Sequence, residues 1–156
     1  MAGAGAVSEM QDEARMRQAV ALAWQCPPSA TAFSVGAVVV AADGTELATG
    51  FSREGGDLAV HAEESALGKL AGDPRLAGAV VYSTLEPCSH RKSRPRSCTE
   101  LIIAAGVRRV VLAWREPALF VADAQGYELL SAAGLEVTEL PELSGAAMEP
   151  NRHLAL

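Results

Sequence analysis

The stretch TELIIAAGVRRVVLAW, residues 99–114, sets a helix-forming run, one glycine and a Val-rich run in direct succession. Thr99 to Ala105 favours a helix, Gly106 supplies the left-handed residue that closes one, and Arg109 to Trp114 suits a buried strand. The same order returns in DAQGYELLSAAGLEVT, residues 123–138: a helix from Asp123 to Ala133, then Gly134, then a strand from Leu135 to Thr138. An apolar strand at Ala79 to Ser83 precedes both. Strand, helix, strand, helix, strand predicts parallel pairing through right-handed crossovers.

The first half of the chain reads differently. Ser8 with Gln11 forms a capping-box signal, and Met16, Ala19, Val20, Ala23 and Trp24 recur at helical spacing as a buried stripe that Pro27 and Pro28 end. Cys26, at that helix end, fits no ligand spacing and reads as a packed thiol. Val35 to Val40 is a β-branched strand, Asp43-Gly44 a hairpin turn, and Glu46 to Gly50 the returning strand. Arg53 to Asp57 is a Gly-rich polar loop, and Ala62 to Leu70 a helix stopped by Gly72-Asp73-Pro74. The expected architecture is α/β: a three-layer α/β/α arrangement around a central mixed sheet of about five strands. No linker or repeat divides the chain, so residues 1–156 are expected to form a single domain.

The composition is 49% hydrophobic but only 4% aromatic, so the core is built from Ala, Val and Leu. A net charge of −6 argues against broad nucleic-acid binding, and so few aromatics offer no stacking platform for bases. Met1 to Val7 lacks the basic residues of a signal peptide, and no apolar run approaches the ~18 residues of a membrane span. A cytoplasmic protein that binds neither nucleic acid nor membrane is expected. Three cysteines are an odd number without a disulfide pattern, and a metal site explains two of them better.

Two short segments carry that chemistry: His61-Ala62-Glu63, and Thr84-Leu85-Glu86-Pro87-Cys88 continuing to Cys98. One imidazole and two thiolates hold a catalytic zinc ion while leaving its fourth position open to water, and a nearby carboxylate is then available to move protons. His61, Cys88 and Cys98 are therefore the candidate Zn²⁺ ligands, and Glu63 the candidate catalytic base. In the expected layout His61 lies at the start of one helix, and the cysteines lie beyond a strand where another helix begins. Helix N-termini favour the thiolate form. On a regular helix His61 and Glu63 would point to nearly opposite sides, so sharing a site requires His61 to lie at the helix's first turn.

The H-x-E…P-C…C order is that of the zinc deaminases of nucleobases. Thr84 to His90 followed by Cys98, Ile103 to Val111, and Leu130 to Val137 resemble the deaminase domain of the bifunctional riboflavin-biosynthesis deaminase/reductase, within the cytidine deaminase superfamily. The resemblance runs from about Arg15 to Asn151. It implies zinc on His61, Cys88 and Cys98, a proton shuttle at Glu63, and hydrolytic loss of ammonia from a diaminopyrimidinone bearing a ribosylamino 5′-phosphate. Ser89 and His90 match positions that line the substrate pocket in that branch.

Three departures accompany it. Residues 1–156 stop about where the family's reductase half begins, so no NADPH-binding domain is expected among them. Ala32-Phe33-Ser34 stands where the riboflavin enzymes carry Pro-Asn-Pro, whose Asn touches substrate, and Phe33 to Ala37 looks more like cytidine deaminases. Ser52 replaces the family's His near the substrate phosphate. Phe33 and Ser52 are thus candidate substrate-binding residues of changed character. Arg91, Lys92, Arg94 and Arg96 form a basic loop; Arg94 is the candidate phosphate contact, with a solvated loop as the other reading. Trp114 and Glu116 are candidates for the pocket rim, with packing and loop solvation as the alternative.

The expected function is a zinc-dependent aminopyrimidine deaminase, with a small-molecule substrate and a homo-oligomeric state, a dimer favoured. The same chemistry on a cytosine-type or purine base or nucleoside is one alternative. A non-catalytic, zinc-stabilised interaction subunit is another.

Overall fold

Val35 to Val40 is too apolar for a surface strand, and it lies inside the sheet with every residue of its strand buried. The computed structural model describes residues 3–88, 94–115 and 126–154, with the backbone alone for residues 3–7. In order, the elements are α1 (Gly3–Ala23), β1 (Gly36–Val40), β2 (Glu46–Phe51), α2 (Ala62–Gly68), β3 (Val80–Leu85), α3 (Cys98–Ala105), β4 (Arg109–Trp114), α4 (Gly126–Ala132), β5 (Glu136–Glu139) and α5 (Ser144–Met148). The strands form one sheet in the order β2-β1-β3-β4-β5. β1 runs antiparallel to β2 and β3, and β3, β4 and β5 are mutually parallel. The mixed five-stranded α/β/α arrangement is the expected one.

The pleat sorts the strand residues into two cores. Val38, Val40, Val80, Tyr82 and Val111 face α1 and α5, with Met16, Ala19 and Ala147 packed on them. Ala37, Val39, Val81 and Val110 face the other way, onto Ala62, Ala66 and Leu67 of α2, Ile102 of α3 and Leu130 of α4. Both helix closures adopt the left-handed conformation, Gly106 at φ 78° and Gly134 at φ 91°.

The N-terminal helix departs from expectation at both ends. It starts at Gly3, so Ser8 and Gln11 sit on its exposed surface instead of capping it. Trp24 does not join the stripe: it follows the last helical residue and is 60% exposed, while Ala23 fills the buried position. Sequence periodicity also misses the segment after β5, where Pro141 to Leu143 form a single turn leading into α5.

A polar cluster pins α1 to the sheet. Arg109 of β4 donates to both oxygens of Asp12, at 3.0 and 2.6 Å, and the Tyr82 hydroxyl donates to Asp12 Oδ1 at 2.7 Å. Burial, followed by the Asp12 hydrogen bond, raises the Tyr82 phenol above its ordinary pKa. Such a buried pair adds little net stability over an apolar substitute, but removing one partner strands the other's charge and is costly.

Contact between α1 and β1 is closest at Gly36. A Cβ built there would lie 1.9 Å from the Ala19 carbonyl oxygen and 2.9 Å from the Ala23 nitrogen. Both obstacles are helix backbone, so relief requires moving α1. Gly36→Ala is expected to destabilise the fold by roughly 1–3 kcal/mol, the range of overpacked cores. A urea melt showing an unchanged midpoint would reject that expectation.

Candidate metal centre and its cavity

His61 is the residue immediately before α2, with extended backbone (φ −92°, ψ 161°), and its N–H donates to Glu64 Oε1 at 3.2 Å. That placement frees it from the helical repeat, so its ring and Glu63, one step inside the helix, reach the same cavity. Cys88 lies beyond the carboxyl end of β3. Cys98 opens α3, whose N-terminus is capped by Ser97 Oγ accepting from Glu100 N at 3.1 Å.

Among the described residues these three side chains form a group with ligand atoms all within 4.8 Å of one another. His61 Nδ1 lies 3.3 Å from Cys98 Sγ and 3.6 Å from Cys88 Sγ. Zinc–nitrogen and zinc–sulfur bonds at tetrahedral angles put ligand N and S about 3.6 Å apart, so the spacing fits a zinc ion. Cys98 N also donates to Cys88 Sγ at 3.3 Å. Bonding from Cys98, opposed by burial and aided by His61, brings the Cys88 thiol down to about 4. The site favours a thiolate there, as a metal requires.

Glu63 is buried and contributes no atom to the ligand group. Its Oε1 lies 2.5 Å from Ser83 Oγ, which lies 2.7 Å from the Leu85 carbonyl oxygen. Ser83 has one hydroxyl proton for two acceptors. The hydroxyl donates to the Glu63 carboxylate, with the Leu85 carbonyl oxygen as a second acceptor in reach. Burial raises the Glu63 pKa, against the lowering pull of Ser83 and His61.

The cavity, about 510 Å³, is also lined by Phe33, Ser52 and Arg53. Phe33 packs edge-on against Trp114, with ring centroids 5.5 Å apart, so Trp114 stands behind the wall. The Ser52 hydroxyl accepts from Val35 N at 3.0 Å and donates to Val35 O at 3.4 Å. Arg94 does not line this cavity. Its Nε bonds Glu64 Oε2 at 3.0 Å and its Nη2 bonds Asp57. Ser89, His90, Arg91, Lys92 and Glu116 lie outside the described residues. Cys26 stays apart from the metal group, with its thiol 3.5 Å from Val35 O.

Sequence periodicity gave no sign of Arg53, Glu86 and Asn151. Arg53 reads as part of a polar loop yet is 5% exposed. Glu86 lines the cavity while its Oε2 accepts from Tyr127 N at 2.8 Å. A polar residue buried by a distant segment leaves no local pattern to find.

Comparisons with known proteins agree with this geometry. The cytidine and deoxycytidylate deaminase zinc-binding region matches residues 9–114. A Schizosaccharomyces pombe protein named diaminohydroxyphosphoribosylamino-pyrimidine deaminase is 44% identical over 130 residues, covering 81% of this chain and 31% of that protein. Riboflavin biosynthesis protein RibD of Escherichia coli is 39% identical over 133 residues, covering 83% of this chain and 34% of that protein. The chain therefore spans about a third of the length of these curated relatives. Among solved structures, the Aspergillus oryzae Rib2 deaminase (C-terminal deletion mutant) superposes with a TM-score of 0.77 at 27% identity, covering 89% of each chain. The zinc-type ligand trio, the fold that presents it and the match over residues 9–114 lead to one assignment: the chain belongs to the cytidine and deoxycytidylate deaminase zinc-binding family.

Proposed function

We propose that this chain is a zinc-dependent hydrolytic deaminase of an aminopyrimidine, acting on the riboflavin-pathway diaminopyrimidinone ribosylamino 5′-phosphate. The observation that carries the proposal is the buried Glu63 carboxyl, held by Ser83 beside the His61, Cys88 and Cys98 group in one cavity. His61, Cys88 and Cys98 would hold the zinc, which when bound lowers the pKa of a water at its open position. Glu63 takes a proton from the attacking water and delivers it to the departing nitrogen; a C–O bond forms, the C–N bond breaks and ammonia leaves. Phe33 supplies an apolar face for the ring. The S. pombe relative's name supports the substrate assignment.

One observation favours the same chemistry on an unphosphorylated cytosine-type or purine substrate. The Ser52 hydroxyl is engaged with the Val35 backbone, and Arg94 bonds Glu64 and Asp57. We assign the chain as a single deaminase domain in a reducing, cytoplasmic setting, because the proposed zinc site takes two of its thiols. We assign a homo-oligomer, a dimer in the simplest case, on the exposed Ile103 of α3 and Leu129 of α4.

The test is ammonia release from zinc-loaded protein over aminopyrimidines and aminopurines, each as base, nucleoside and 5′-phosphate, with Glu63→Ala as blank. Turnover confined to the ribosylamino phosphate is the expected result. Turnover of cytidine or a free base instead would move the assignment to the second substrate class. No turnover at all would leave a zinc-stabilised interaction subunit.

A further inference from the structure

Thr31, Ala32, Phe33 and Val35 line the cavity from residues 27–35, a segment without helix or strand. Its backbone is held by buried polar side chains from other parts of the chain. Arg53 makes three such bonds and a fourth to a side chain. Its Nε and Nη2 donate to the Pro27 carbonyl oxygen at 3.0 and 2.7 Å, Nη1 to that of Phe33 at 3.0 Å, and Nη2 to Ser34 Oγ at 2.8 Å. Asn151 grips Ser34 as well. Its Oδ1 accepts from Ser34 N at 2.6 Å and its Nδ2 donates to Ser34 O at 3.0 Å.

Two features separate this arrangement from ordinary loop packing. Among the described residues Arg53 is the non-glycine residue with positive φ, at 62°, a conformation that persists where the surroundings over-determine it. The three acceptors of Arg53 also lie in different directions, which suits the planar fork of a guanidinium and not the single point of an ammonium. Phe33 is one of the gripped residues, and it in turn packs on Trp114. Any release of the grip must move the wall of the cavity.

We propose that Arg53 is a positioning residue. By gripping Pro27, Phe33 and Ser34 it fixes the Phe33 wall against which the substrate ring lies, and so governs substrate affinity and not the chemical step. The kinetic half rests on the deaminase reading above; the position of the wall does not.

The variant that tests it is Arg53→Lys, which keeps the charge and the backbone demand but loses the fork. It is made in a Trp24→Phe background, so that Trp114 is the remaining tryptophan. KM is expected to rise about tenfold with kcat within about twofold, zinc content unchanged, and acrylamide quenching of Trp114 increased. Asn151→Ala is expected to shift KM and quenching in the same direction, and it carries both readouts should Arg53→Lys not fold. Unchanged quenching would overturn the proposal, as would a fall in kcat at constant KM or zinc loss in step with activity. If the parent protein turns over no aminopyrimidine, the deaminase reading fails, and Trp114 quenching alone decides whether Arg53 holds the wall.

Discussion

Glu63→Gln is expected to lower kcat for ammonia release by roughly a thousandfold, within the range for loss of a general acid–base group. The amide matches the carboxyl in size and still bonds Ser83, so the cavity is preserved and the loss reports proton transfer. Zinc content should remain that of the parent, because Glu63 contributes no atom to the ligand group. The metal-free protein adds a second readout of opposite sign. Burial raises the folded-state pKa of Glu63 above the 4.5 of an ordinary carboxyl. Above that pH the unfolded chain releases the proton more readily than the fold does, so the carboxyl costs stability as pH rises through and beyond 4.5. The metal-free Glu63→Gln variant should therefore melt higher than its parent at pH 7, with the difference vanishing near pH 4. A variant that keeps most of its turnover, or that melts lower at pH 7, would show that Glu63 is not the buried proton carrier described.

Cys98→Ser is the second large effect. Zinc measured by atomic absorption is expected to fall from about one equivalent to background, with turnover lost alongside it. Cys98 is fully buried at the start of α3, and its side chain is the largest influence holding the Cys88 thiol down, so one substitution reaches two of the three ligands. Cys26→Ser is the matched control. Its thiol contacts Val35 O outside the metal group, and the variant should retain full zinc. Equal zinc in both variants would reject the assignment of Cys98 as a ligand.

These expectations rest on features of unequal legibility in the sequence. Gly106 and Gly134 announce two helix ends because a left-handed residue is a local requirement. The metal trio is legible because zinc chemistry restricts ligand type, and a helix start is where His61 and Glu63 can share one site. Arg53, Asn151 and Asp12 are legible to no local rule. Each is a polar residue buried by chain far away in sequence, as in the pairs Asn151–Ser34 and Asp12–Arg109, 117 and 97 positions apart. Ser52 shows the converse difficulty. Its position near the substrate is legible, but its hydroxyl is used on Val35, which only the packed structure reveals. Trp24 follows the helical spacing of the stripe, yet the helix ends one residue too early for it to be buried.

The bond between Asn151 and Ser34 also orders events during synthesis. His61, Cys88 and Cys98 have all left the ribosome about fifty residues before Asn151 emerges to hold the Phe33 segment. The ligand group needs no residue beyond Cys98, whereas the wall that carries Phe33 is complete only once Asn151 has packed back on Ser34.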